Sequence, residues 1–139
     1  MKATDVIKRD HRAVEELFEE FQEAPMEKRE AMEKLIFDAL ARHERMEDKH
    51  FYKALRKKMG AKDDLGLLAE QKKLEAQVLA ARALPGDRTE RIMAIMDTVG
   101  AHALMEENEI LPQAENFLDN AELEELGMKM EPMSVVAMV

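Results

Sequence analysis

Apolar residues return along this chain at helical intervals. Ile7, His11, Val14, Phe18 and Phe21 follow one another at steps of four, three, four and three, which is the period of one buried helix face. Pro25 interrupts the pattern. A second stripe takes in Met32, Ile36, Ala39, His43, Glu47, His50 and Ala54, and it closes with Lys57, Lys58 and Gly60, a basic last turn followed by a C-terminal glycine. That spacing predicts a helix of about thirty residues. The third segment carries Leu67, Leu68, Gln71, Leu74, Glu75 and Val78 on one side and stops before the Pro85-Gly86-Asp87 turn. Asp87 followed by Glu90 reads as a capping box opening a fourth helix. Its stripe is Ile92, Ile95, Val99, His102, Glu106 and Ile110, and Pro112 is expected to bend or end it.

Long helices joined by short turns favour antiparallel neighbours. The fold expected is therefore all-α, an antiparallel up-down four-helix bundle over residues 1–118. Residues 119–139 are expected to add a short fifth helix, around Ala121 to Met128, and an apolar tail, Glu131 to Val139, that docks on the bundle or on a partner.

Composition narrows the function classes. The 139 residues suit one domain with a real core. Net charge is −9, which disfavours attachment to phosphate backbones and anionic lipid surfaces, so neither nucleic acid nor membrane is expected as partner. No apolar run approaches the ~18 residues of a membrane span and the N-terminal residues do not resemble a signal peptide, so a cytoplasmic protein is expected. Absence of Cys leaves nitrogen and oxygen as the only strong metal ligands. The twelve Met residues read as core and tail filler, because a thioether is a weak ligand for hard or borderline cations.

The polar residues on the inward stripes carry the chemistry. His or Glu in the middle of an apolar face costs free energy unless something satisfies it, and an ionised carboxylate costs most. His11, His43, Glu47, His102 and Glu106 all stand there. One such histidine alone is more often a hydrogen-bonded core residue. Here, however, His43-x-x-x-Glu47 and His102-x-x-x-Glu106 each put a nitrogen and a carboxylate one turn apart on one face, and His11 adds a third nitrogen. A shared metal site satisfies all five.

Asp10-His11, His43-Glu-Arg-Met-Glu47 and His102-Ala-Leu-Met-Glu106-Glu107-Asn-Glu-Ile-Leu-Pro112 resemble the three motifs of hemerythrin-like, cation-binding HHE domains, over about residues 1 to 118. Phe51-Tyr52 resembles the aromatic stretch that follows the second motif. The resemblance implies a centre of two iron ions, with Glu47 and Glu106 bridging and His11, His43 and His102 as terminal ligands. The family normally supplies a further histidine from the third helix. In its place stand Gln71 and, one turn on, Glu75; either could offer an oxygen to iron, or act as a hydrogen-bond partner and an ordinary ion pair respectively. His50 is a second candidate replacement, but a seven-residue step is about ten ångströms along the axis, so it cannot share an iron with His43 without rearrangement. Tyr52 falls opposite His43 on a regular helix and is expected to serve packing alone.

What the resemblance implies for function is a non-haem di-iron protein that binds or reacts with dioxygen, peroxide or nitric oxide, in oxygen or redox sensing, binding or detoxification. An anionic oxygen ligand from helix three would favour ferric iron and turn the centre from reversible carriage toward reaction with oxygen or peroxide. The alternatives are an iron storage or donor protein and a metal-free helical interaction module. The partners expected are a small diatomic or peroxide ligand, with a redox partner protein or a homodimer left open.

Overall fold

The computed structural model describes residues 1–60 and 66–138; within the helix that follows residue 66, the side chains of Leu67, Leu68 and Gln71 lie outside the described set. Helix α1 spans Ala3–Glu23. Pro25 ends it and a single 3-10 turn, Met26–Lys28, leads into α2, Arg29–Met46. A five-residue π-helical turn, Glu47–Phe51, joins α2 to α3, Tyr52–Met59, without a break in direction. Gly60 then adopts φ 86°, a conformation open to glycine at little cost.

Helix α4 covers Leu67–Arg82 and α5 covers Arg88–Met105. Asp87 caps α5, its side chain accepting from the Thr89 backbone N–H at 2.8 Å. A second π turn, Glu106–Ile110, connects α5 to α6, Leu111–Phe117. Pro112 occupies the second residue of α6, directly after the turn in which the regular hydrogen-bond ladder is already interrupted, and this is how the rod continues past a proline. Asp119 and Glu122 form a full capping box that starts α7, Asn120–Met130.

Among the described residues the fold is all-α, a helical bundle with no strand. Helix α1 packs on α2 and α7, α4 on α5, α5 on both α1 and α2, and α3 on α6. Buried members of the expected stripes are Ile7, Val14, Phe18 and Phe21 in α1, Ile36, Ala39 and His43 in α2, and Ile92 and Ile95 in α5, and Leu40 joins them in α2. Helix α4 contributes less, with Leu74 buried and Val78 partly so. No helix among the described residues is long and apolar enough to cross a membrane.

The apolar interior falls into two clusters. One gathers Val6, Ile7, Met46, Phe51, Leu55, Leu111 and Leu123 from the start of α1, the end of α2 and its π turn, and from α3, α6 and α7. The other gathers Val14, Phe18, Phe21, Ile36, Leu40, Ile92 and Val135 from the far half of α1, α2, α5 and the C-terminal segment. Between them along each rod lie Asp10 and His11 in α1, His43 and Glu47 at the end of α2, and His102 and Glu106 at the end of α5. Helix α7 closes the first cluster by a backbone approach, for a Cβ built on Gly127 would stand 1.8 Å from the Met1 carbonyl oxygen. We therefore expect Gly127→Ala to force α7 away from the start of α1 and to cost about 1–3 kcal/mol. Thermal unfolding of the variant measures this, and an unchanged midpoint would refute the contact.

Candidate metal centre

Each His-x-x-x-Glu pair ends on the first residue of a π turn, Glu47 in one rod and Glu106 in the other. Such widened turns recur at functional sites, because the extra residue re-aims side chains that a regular helix would stack. Here they bring both carboxylates into the interior: Glu106 is 0% and Glu47 1% exposed. One nitrogen or oxygen from each of His11, His43, Glu47 and Glu106 lies within 4.8 Å of all the others.

The hydrogen bonds decide which ring nitrogens face this point. Asp10 accepts from His43 Nδ1 at 2.9 Å and Glu107 accepts from His11 Nδ1 at 2.8 Å. With Nδ1 carrying the hydrogen in both rings, each Nε2 presents a lone pair inward. His43 Nε2 meets Glu47 Oε1 at 3.1 Å and His11 Nε2 meets Glu106 Oε1 at 2.9 Å. Those are contacts between electron pairs, tolerable only with a proton or a cation between them. Their geometry agrees: His43 Nε2, Glu47 Oε2, His102 Nε2 and Glu106 Oε1 are buried and make no hydrogen bond among the described residues. The donor set of imidazole nitrogen and carboxylate oxygen suits iron, zinc or another borderline cation.

Without a metal, protons carry the balance. Burial alone would depress the His43 imidazolium, yet the Glu47, Asp10 and Glu106 carboxylates outweigh it and hold its pKa well above the ordinary histidine value. Glu47 is pushed well up, first by burial and then by Glu106, whereas for Glu106 burial is outweighed by the proton held on Glu47 and by the facing His102 and His11 imidazoles, which hold it well below the usual range. One carboxylate of the pair thus keeps a proton that the other accepts.

His102 stands on the far side of Glu106. Its Nε2 is 3.7 Å from Oε2, while Oε1 faces His11. Glu106 therefore directs its two oxygens toward histidines of different helices. Tyr52 shares Oε2, its buried hydroxyl donating a hydrogen bond to Glu106. Packing alone is the wrong account of Tyr52. On a regular helix it would face away from His43, but the π turn that precedes it advances fewer degrees per residue and swings the ring back toward the site.

The same turn carries His50 off the stripe. It is half-exposed beside Lys49, Lys53 and Lys129, and burial together with those cations lowers its pKa; the structure does not bring it to the cluster. Glu75, on α4, hydrogen-bonds to Asp48 and not to the four clustered residues, and burial together with Asp48 raises its pKa. Glu44 completes an acidic group with these two at the edge of the site, raised to about 7 by burial and by Glu75. Nothing in the sequence set Glu44 apart from the solvated acids around it. The Gln71 side chain lies outside the described residues.

Residues 2–114 match the family model of the hemerythrin HHE cation-binding domain. The chain belongs to that family. No curated protein and no solved structure matches it. As an HHE domain the chain is a cation-binding module, and its His/Glu cluster fits a metal site. In the metal-free HHE domain, Tyr52→Phe is expected to leave helix content unchanged but to cost about 1–3 kcal/mol, because the buried Glu106 carboxylate loses a donor. Urea unfolding of the metal-free protein reads this directly, and equal stability of the two proteins would show that Glu106 does not depend on the hydroxyl.

Proposed function

We propose that this HHE domain holds a non-haem centre of two iron ions and that the centre binds or reacts with dioxygen, peroxide or nitric oxide. The observation that carries the reading is the set of lone pairs from His11, His43, Glu47 and Glu106 converging on one point in a dry layer. Those four would hold one ion. His102, on the second oxygen of Glu106, would hold the other together with the two bridging carboxylates, and Glu75 would complete it by exchanging Asp48 for the metal. When bound, ferrous ions there would supply the electrons for chemistry on an oxidising small ligand.

The protein's own contribution is positioning and exclusion. Asp10 and Glu107 fix the two histidine tautomers. A cavity of about 560 Å³ reaches His11, His43 and His102, walled in part by Val14, Phe18, Leu40 and Val99, so a small uncharged ligand can approach the cluster over apolar surface. The iron storage or donor reading uses the same ligands and differs in outcome, predicting ready release of iron and no spectral response to an oxidant.

Anaerobic loading with ferrous iron, metal analysis and visible spectra before and after exposure to air form the test. We expect about two iron ions per chain and new absorption on oxidation; no bound metal, or one tightly held zinc, would overturn the centre. Glu47→Ala and Glu106→Ala should each abolish binding of both ions and His11→Ala of one, and equal partial losses in all three would contradict bridging. Glu47→Gln should lose metal yet be at least as stable as the metal-free parent, since the amide keeps a hydrogen-bond donor for Glu106 without having to take up a proton. For helix three, Glu75→Ala should weaken one ion, and unchanged iron content and air-oxidation rate would exclude that ligand.

A further inference from the structure

The C-terminal segment lies outside the stretch that matches the family, residues 2–114, yet it is wired into the metal centre. After α7 the chain makes a 3-10 turn, Glu131–Met133, and runs back along α1 and α2. Arg42, the neighbour of His43 in α2, clamps it with Nε donating to the Ser134 carbonyl at 2.8 Å and a second guanidinium nitrogen donating to the Pro132 carbonyl at 2.6 Å. Ser134 is 0% and Val135 5% exposed, and the Val135 side chain joins the second apolar cluster.

The decisive contact is at Asp10. Its Oδ1 accepts from the backbone N–H groups of Val135 at 2.9 Å and Val136 at 3.4 Å, while its Oδ2 accepts from His43 Nδ1. Asp10 is fully buried, and a buried carboxylate with too few donors rotates toward water or takes up a proton. Two of its three donors come from the tail. Fixing Oδ1 is what aims Oδ2 at His43, and aiming Oδ2 is what turns Nε2 of that ring inward.

We propose that residues 132–136 form a strap that positions the metal ligand His43 through Asp10, so that displacing the strap loosens the metal while the bundle stays folded. The proposal rests on the metal-binding reading of the cluster. Partners that orient a ligating histidine are typically worth ten- to a hundredfold in metal affinity. Asp10 and the two backbone donors act through His43 and are positioning groups. Any partner or protease that peels residues 132–136 from α2 would thereby lower metal retention, which gives the domain a handle on its own loading.

Val135→Pro tests this, because it deletes one donor to Asp10 and keeps an apolar ring of similar size; Ser134, at ψ 161°, already has the extended conformation a following proline requires. Val135→Ala is the control, keeping the N–H and losing packing. Binding of cobalt(II), read from its visible spectrum, should weaken about tenfold in Val135→Pro and clearly less in Val135→Ala. In an Asp10→Asn background, Val135→Pro should add less than about twofold, since both changes break one relay. Independently of any metal, NMR spectra of the metal-free protein should show the His43 Nδ1–H resonance, hydrogen-bonded to Asp10 in the parent, moving upfield and exchanging faster with solvent in Val135→Pro. Wild-type cobalt affinity in Val135→Pro, or multiplying effects of the two substitutions, would overturn the strap. Failure of the parent protein to bind cobalt or iron would instead overturn the metal reading, with the Nδ1–H resonance still deciding whether the tail positions His43.

Discussion

Two imidazole lone pairs aimed at two buried carboxylates cannot coexist without positive charge between them, and the rest of the molecule is arranged around that requirement. The contacts of His43 with Glu47 and of His11 with Glu106 lie in a layer from which water is largely removed, where an unscreened repulsion would be severe. Asp10 and Glu107 enforce the tautomers that create the difficulty, and Tyr52 braces Glu106 within it. A sequence selected for stability alone would fill this layer with leucine. Retaining five ionisable residues and the groups that orient them is intelligible as the cost of a cation site.

Much of this could be read from the chain before any coordinates. Apolar period locates α1, α2 and α5, and of the polar interruptions of those stripes His11, His43, Glu47 and Glu106 cluster, while His102 stands on the second oxygen of Glu106. What escaped was whatever depends on departure from a regular helix or on the backbone. A 3.6-residue period carries no mark of the π turns at Glu47 and Glu106, so it puts Tyr52 on the side away from His43 and keeps His50 on the stripe. The strap was invisible for another reason: its donors to Asp10 are main-chain N–H groups, which every residue but proline possesses, so the residue types at Val135 and Val136 give no signal. Glu44 was hidden among many exposed acids, since only the approach of α4 separates it from them.

The two rods that carry the carboxylates are near equivalents. Each runs through His-x-x-x-Glu into a five-residue π turn and on into a short α-helix. They diverge directly afterwards, Tyr52 in one and Leu111 in the other, and that divergence makes the centre asymmetric: the hydroxyl of the first rod crosses to the carboxylate of the second. Glu106 therefore meets His11, His102 and Tyr52, while Glu47 meets His43 of its own rod. The strap adds to the imbalance by bracing only the His43 side.

The division of the interior into two apolar clusters also bears on cooperativity. Each half-core draws on α1 and on the rod containing α2, yet they meet across a plane of charged and hydrogen-bonded groups, where dispersion contacts are few and protonation sets the interaction. An ion held in that plane would be bonded to α1, α2 and α5 at once. It would act as a rivet between two hydrophobic halves whose melting is otherwise only loosely coupled, so loading the site would determine whether the domain unfolds as one unit or as two.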